Sequence, residues 1–600
     1  MSTTKTSTPR LTSSSILSRL LNKFLFTSLL SSNAALESVP RTQVIQTGQE
    51  GKDIKRIRES QQQTITAVLS DKKSHEDTGA HISDVVLVVK GHMRNASTAT
   101  DDTAVDTPPV TAPTPPPGYV QPYDTIIFDI GDVLFTWEPA PNRSIPGGTF
   151  KLILRSHAFY EYECGRLTEE EFYRSTADRL NVPYEDVQAA FHDARESLVP
   201  NPLMPPLIRQ LKENHKILAG SNISKPDFDW LHARPGFDWD VFDRIHASYA
   251  IGARKPDHSF FRSIIDSEKL DPARVIFIDD KVENVLTAKS LGVAGFVFRD
   301  QESAVRTLWA LCADPVERGW KWVEENKGRM HSFTGQGKDV EENFTQMLIL
   351  ELTGRADIVN YDKYDRLFHF YQGDKQPTIK EFPYDMDTTS IGLSICPHIK
   401  PEMRHDVMNE MLTCLNTDNI IQTYFDRKRP RIDPIVCCNI LTLFYSNGRG
   451  DEPLLQQTKA WVIDTLKTRA YLGGTTYYHC AETYLFFFSR LLLHSPELCA
   501  QYLDLLLIRI RERVGIPSEA CGLALRMLLC AQHDLDPGQD FKLLLLAQES
   551  DGGWPAGGFY RYPGNGVMIG HRGWVTCVAL EAIKRGRERG WSADLKEIIC

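Results

Sequence analysis

Basic charge, paired cysteines and long apolar runs are what this sequence lacks. Its 600 residues carry 68 Lys and Arg against 78 Asp and Glu, a net charge of −10, and no basic patch stands out. Nucleic acid is therefore excluded as the main partner. The 12 cysteines, from Cys164 to Cys600, contain no C-x-x-C pair. Neither a zinc site nor a disulfide scaffold is expected, and scattered thiols of this kind fit a reduced, cytoplasmic setting. No run of about 18 apolar residues occurs, so no transmembrane helix is expected. Acidic residues are absent from positions 1–36, where Lys5, Arg10, Arg19 and Lys23 are the only charges. With the apolar spacing of residues 16–30, this stretch reads either as an organelle-targeting or membrane-surface helix or as a plain tail with a sticky segment.

The chain is too long for one hydrophobic core, so two domains with separate cores and extra segments are expected. Residues 1–120 are rich in Ser, Thr and Gln and end in the proline-rich stretch 108–117. They read as a disordered tail and a stiff linker. From 121 to 312, short apolar runs (TIIF, KILAG, VIFI) alternate with helical stretches, the mark of a doubly wound parallel α/β sheet. From 315 to 600, helical segments follow one another with little strand signal. Several are apolar on more than one side, as in YLDLLLI at 502–508, which suits a helical bundle or a double-layered α-barrel.

Chemistry-bearing residues gather at the strand ends of the first domain. Asp129 follows TIIF, Ser221-Asn222 follow KILAG, Lys255 lies in Arg254-Lys255-Pro256-Asp257, and Asp279-Asp280 follow VIFI with Asn284 just beyond. Ligands bind at the carboxyl edge of such sheets. A carboxylate there can attack phosphorus, a lysine and a hydroxyl can hold phosphate oxygens, and paired carboxylates can hold Mg²⁺. Each piece alone is an ordinary turn feature; their order is not. In that order they resemble the haloacid dehalogenase superfamily over residues 121–312. The resemblance implies Asp129 as nucleophile and metal ligand, and Ser221 with Asn222 as phosphate-binding groups. It implies Lys255 as the motif lysine, Asp280 as a metal ligand supported by Asp279 and Asn284, and residues 137–203 as a helical, mobile cap. One departure stands out: the general acid/base expected two residues after the nucleophile is Gly131, and Asp132 comes one position later.

In the second domain Asp385-Met386-Asp387-Thr388-Thr389 is an acid pair with hydroxyl neighbours, and Gln548 precedes Asp551-Gly552-Gly553-Trp554 at a helix end. A buried carboxyl beside a second one holds its proton to higher pH, as protonation of an alkene requires. The two elements together resemble the class II terpene cyclase β domain, with the Gln-Trp element as a clamp. By that resemblance Asp387 is the proton donor, and Asp385, Thr388 and Thr389 orient and reprotonate it. A carbocation needs a dry aromatic cavity, for which the candidates are Trp554, Phe559, Tyr560, Tyr477, Tyr478 and Trp574. Arg561, His571 and Arg572 are candidate diphosphate contacts. A phosphatase-like domain followed by D-x-D-T-T resembles the drimane-type sesquiterpene synthases of fungi and bacteria. In that family Asp279-Asp280-Lys281-Val282-Glu283 is read as D-D-x-x-E, and the implied metal set is Asp129, Gly131, Asp279, Asp280, Glu283 and Asn284. The implied substrate is farnesyl diphosphate, with Mg²⁺ as cofactor and a drimane bicycle as product. Two alternatives stay open: a cyclase that keeps its diphosphate and has a non-hydrolytic first domain, and a metabolite phosphatase with a helical binding module.

Overall fold

The structure, a computed structural model, describes residues 122–137, 145–373, 382–562, 566–592 and 595. The expected N-terminal helix, tail and proline linker lie outside the described residues. The first half opens with β1 (Thr125–Phe128) and β2 (Phe135–Trp137). β2 pairs antiparallel with β3 (Leu198–Pro200), and four helices lie between them, from Gly147–Leu154 to Tyr184–Glu196. These helices pack on their own small core around Phe150, Tyr162, Phe172 and Phe191. Then come β4 (Lys216–Ser221), β5 (Arg244–Ala247), β6 (Val275–Asp279) and β7 (Ala294–Val297). They form a parallel sheet of order β5-β4-β1-β6-β7.

Alternation along these strands divides the apolar side chains between two cores. Ile127, Leu218 and Phe277 face one core with Phe260, Phe261 and Val285. Ile126, Phe128, Ile217 and Ile278 face the other, which runs without a break into the second half of the chain. The joint is the helix Gln301–Cys312, which buries Ala304, Leu308 and Leu311 and packs on both Met204–Lys212 and Asp540–Leu546. Two separate cores were expected from length; a shared one is found, because this helix is apolar on the side of each half.

The second half is mainly helical. Its helix starts are written in the sequence: Pro315, Pro434 and Pro496 open helices just after the capping residues Asp314, Asp433 and Ser495. Pro434–Ser446, Ala481–His494 and Ala520–Gln532 are buried on nearly every side, whereas Pro496–Arg511 buries one stripe. The helices therefore lie in an inner and an outer layer. The helix-only reading omits a small antiparallel sheet of order β10-β11-β8-β9, made of β8 (Ser332–Thr334), β9 (Asp339–Val340), β10 (Tyr560–Arg561) and β11 (Met568–His571). Among the described residues no helix is long and apolar enough to cross a membrane.

Candidate active sites

The carboxyl edge of the parallel sheet gathers the first site. Asp129 directly follows β1, Ser221 ends β4 and Asp279 ends β6, and all three are buried. Lys255, 1% exposed, places Nζ 2.7 Å from Asp129 Oδ1 and 2.6 Å from Asp279 Oδ2. Burial alone would strip its proton, but the two carboxylates outweigh that and keep it an ammonium. Burial pushes the Asp129 carboxyl well up, against the pull of Lys255. Burial also acts to raise Asp279, yet Lys255 and N–H donation from Lys281 (2.8 Å) and Asn284 (2.9 Å) hold it below the usual range.

Carboxylate oxygens of Asp129, Asp279 and Asp280 all lie within 4.8 Å of one another, a hard-oxygen set that suits a small divalent cation. Several expected site residues do other work. Asn284 donates to Asp279 and so orients it. Glu283 is exposed in the first turn of its helix, outside the acidic cluster. The side chain of Asn222 clamps the backbone of Lys255, donating to its carbonyl (2.8 Å) and accepting from its N–H (2.7 Å). Gly131 is exposed, and a Cβ added there would meet nothing within 4 Å. The neighbouring Asp132 has a left-handed φ of 56° and points to Lys281, 3.6 Å away, whose ammonium also reaches Asp280.

The second site is a cavity of about 410 Å³ in the helical half. Asp385 caps the helix Met386–Ile395, its Oδ1 accepting from Thr388 N–H at 2.7 Å. This places Asp387 in the first turn. Asp387 accepts from Asn439 Nδ2 at 2.6 Å and from the Tyr478 hydroxyl. Burial pushes the Asp387 carboxyl up to about 8, against the two donors, with Asp385 and Asp433 adding to the rise. Burial raises Asp385 to about 6. The second oxygen of Asp385 and the Thr388 hydroxyl have no hydrogen-bond partner among the described residues, and both residues line the cavity. Thr389 does not face the acids. Its hydroxyl accepts from Phe368 N–H (3.0 Å) and donates to Phe368 O (3.2 Å), tying the helix to that loop. Gly392, one turn on, leaves room for the Phe368 ring, which a Cβ would meet at 2.6 Å.

The cavity walls include Phe344, Phe370, Phe382, Tyr424, Tyr477 and Tyr560, with Arg429, Arg431 and Arg561 also lining it. Of the aromatic candidates Tyr477, Tyr478 and Tyr560 line the cavity, and so does Arg561. Trp554, Phe559 and Trp574 do not line it. Phe559 packs behind Tyr560 with ring centroids 4.6 Å apart, and Trp574 lies behind Phe559 at 5.7 Å. The indole of Trp554 donates to Leu544 O at 2.7 Å, while Gln548 Nε2 donates to Pro315 O and Gly552 O, each at 2.8 Å. The Gln-Trp element therefore pins a helix end to the start of the helical half. Arg572 is spent on the same clamp, pairing with Glu549 and Asp551. His571 caps the last helix, Nδ1 accepting from Trp574 N–H at 3.0 Å, and burial pushes it down to about 3, so it is neutral. Arg429 and Arg431 were missed. Their signal is the run Tyr424-Phe425-Asp426-Arg427-Lys428-Arg429-Pro430-Arg431, basic and aromatic together just before a helix start.

A phosphatase-type sheet edge and an acid-bearing aromatic cavity on one chain define a terpene cyclase joined to a haloacid dehalogenase-like domain. Comparison with known proteins agrees in both halves. Residues 123–292 match the haloacid dehalogenase-like hydrolase family, and residues 316–447 match the sesquiterpene cyclase astC-like C-terminal domain. Drimenol cyclase drtB of Aspergillus calidoustus is 39% identical over 464 residues, 76% of this chain and 87% of that protein. Sesquiterpene phosphatase astK of Aspergillus oryzae is 32% identical over 179 residues, covering 30% of this chain and 91% of its own length. A haloacid dehalogenase family enzyme of Bacteroides thetaiotaomicron, solved with magnesium and inorganic phosphate, aligns with a TM-score of 0.26 and 22% identity over 30% of this chain and 96% of that one. The chain belongs to the drimane-type sesquiterpene synthase family. It is an enzyme that cyclises a prenyl diphosphate.

Proposed function

We propose that the substrate is farnesyl diphosphate, that Asp387 protonates its terminal alkene, and that two ring closures and loss of a proton near C8 give a drimane-type bicyclic diphosphate. One observation carries this reading: a single cavity holds an acid raised to about 8, aromatic faces and three arginines. The acid starts the reaction, the rings stabilise the cation, and Arg429, Arg431 and Arg561 hold the diphosphate by charge-assisted hydrogen bonds. The test is incubation of the purified protein with farnesyl diphosphate and Mg²⁺, with extraction before and after added phosphatase. A bicyclic alcohol in either extract supports the reading; only linear farnesol overturns it.

If the arginines act on the diphosphate alone, binding should suffer and chemistry should not. Arg431→Ala is expected to raise KM about tenfold and leave kcat within about twofold. Steady-state kinetics on the two parameters checks this.

The α/β domain then removes the two phosphates in two rounds, the first expelling the alkyl monophosphate and the second the alkoxide, with water cleaving the aspartyl phosphate after each. Asp129 attacks phosphorus while Lys255 and Ser221 hold the phosphate oxygens. A magnesium ion held by Asp129 and Asp280 would supply charge neutralisation for that attack. The leaving alkoxide needs a proton, and Gly131 offers none. That favours a second reading, in which the first domain does not hydrolyse and the diphosphate is released. The open space around Gly131 makes this testable. Gly131→Asp should accelerate hydrolysis of an alkyl phosphate by on the order of 10²-fold. With p-nitrophenyl phosphate, whose phenolate leaves unaided, little change is expected. Equal effects on both substrates would show that the missing acid is not the limit.

A further inference from the structure

We propose that Arg490 and Asn439 dictate which oxygen of Asp387 carries the transferable proton, leaving it on Oδ2, and so act as positioning residues for the cyclisation. The inference rests on Asp387 being the donor, as read above. Asn439 lies on Pro434–Ser446, which packs on the acid-bearing helix, and Arg490 on Ala481–His494, which packs in turn on Pro434–Ser446; both side chains are buried. Arg490 NH1 is 3.2 Å from Asn439 Oδ1. A guanidinium has donors only, so the amide oxygen must face Arg490 and the amide NH₂ must face Asp387 Oδ1, 2.6 Å away. Glu351 holds the guanidinium in place, accepting from Nε at 3.0 Å and from NH2 at 2.7 Å. The amide therefore cannot flip.

A neutral carboxyl has one O–H. On Oδ1 it would point at the Asn439 N–H, donor against donor, in a buried site. On Oδ2 it meets the Tyr478 hydroxyl, which can accept as well as donate. Tyr478 lines the cavity, whereas Asn439 and Arg490 do not. Oδ2 is thus the cavity-side oxygen. In the transfer its O–H bond breaks and the electron pair stays on Oδ2. The alkene π pair forms the new C–H bond, and the positive charge appears on the neighbouring carbon. The carboxylate left behind is received on Oδ1 by the Asn439 amide already aimed at it, and on Oδ2 by the Tyr478 hydroxyl, which turns from acceptor to donor.

The titratable groups that face Asp387 include Asp385, Asp433, Tyr478 and Tyr560, with Cys437 and Cys438 on Pro434–Ser446; the charges of Arg490 and Glu351 stand behind Asn439. Asn439→Asp tests the direction of the hydrogen bond, since it keeps shape and reverses it. Held by Arg490 as a carboxylate, the new side chain accepts from Asp387 Oδ1 and draws the proton away from the cavity. Turnover should fall about 10²-fold with KM within about twofold, in a protein whose melting and circular dichroism show it folded. Asn439→Leu removes a donor that favours the carboxylate, so the alkaline limb of its kcat–pH profile should move to higher pH. Arg490→Lys, which keeps a donor, should retain more turnover than Arg490→Met; this pair carries the test if Asn439→Asp fails to fold. Asn439→Asp at a kcat within threefold of wild type overturns the proposal, as does equal turnover of the two Arg490 variants. A raised KM with unchanged kcat also overturns it. A wild-type protein that forms no bicyclic product overturns the cyclase reading itself and is told apart by that control.

Discussion

Asp387→Asn should lower the formation of bicyclic product by on the order of 10⁴-fold and leave the fold intact. The amide is close to isosteric, and both partners remain usable. Its oxygen accepts from Asn439 as the carboxylate does, and its NH₂ donates to the Tyr478 oxygen, which loses only its role as donor. What disappears is the acidic proton. The wild-type pH dependence has a definite sign. The active form is the neutral acid, and burial holds its proton up to about 8, so turnover should persist through neutral pH and fall as pH rises through about 8. Stability follows the same direction: a folded pKa above the unfolded one contributes stability that is lost as pH rises through the folded value. The Asn variant has no charge to bury, so above pH 8 it should melt at or above the wild-type temperature. Gas chromatography of extracted products and melts at pH 7 and 9 check both parts. Bicyclic product at a wild-type rate from the variant would place the donor elsewhere.

What could be read in the sequence, and what could not, divides by range. TIIF and VIFI declare themselves as strands buried on both faces, and Asp129 and Asp279 sit at their ends because chain order alone puts them there. The acid pair is likewise local, since Asp385 caps the helix that carries Asp387. Contacts between distant segments are not local. Asn439, Arg490 and Glu351 come from three helices, and no spacing connects them. Whether an aromatic lines the cavity or stands one rank behind it depends on strand pairing: Tyr560 faces in, while its neighbour Phe559 faces the core beside Trp574. Adjacent motif residues also part company once a backbone partner is available. Thr388 stays at the acids while Thr389 turns to Phe368, and Asn222 grips Lys255 instead of facing the site as Ser221's companion. Composition had no means of showing that Gln301–Cys312 joins the two cores.

That joint sharpens the test of the first site. With one core shared by the two halves, the two sites are separable by chemistry and not by folding: no residue of the acidic cluster lines the aromatic cavity. Asp129→Asn should therefore abolish phosphate release, by about 10³-fold or more, while Asp387 continues to cyclise. The bicyclic product should accumulate as its diphosphate and appear as alcohol only after external phosphatase. The substitution leaves buried Lys255 with Asp279, 2.6 Å away, as its remaining ion-pair partner among the described residues. Losing one partner of a buried ion pair is costly, but the amide oxygen of the substituted side chain still accepts from Nζ, so the melting temperature should drop without loss of folding. A transmitted effect on the cavity would appear as raised KM for cyclisation, and excess substrate would then restore the bicyclic diphosphate. Free alcohol formed as fast as in wild type would exclude the aspartyl-phosphate route and leave the α/β domain as a scaffold. Should wild type itself release only the diphosphate, Gly131, which stands where the resembled family carries its acid/base, is the first place to look, and Gly131→Asp then becomes the gain-of-function counterpart of Asp129→Asn.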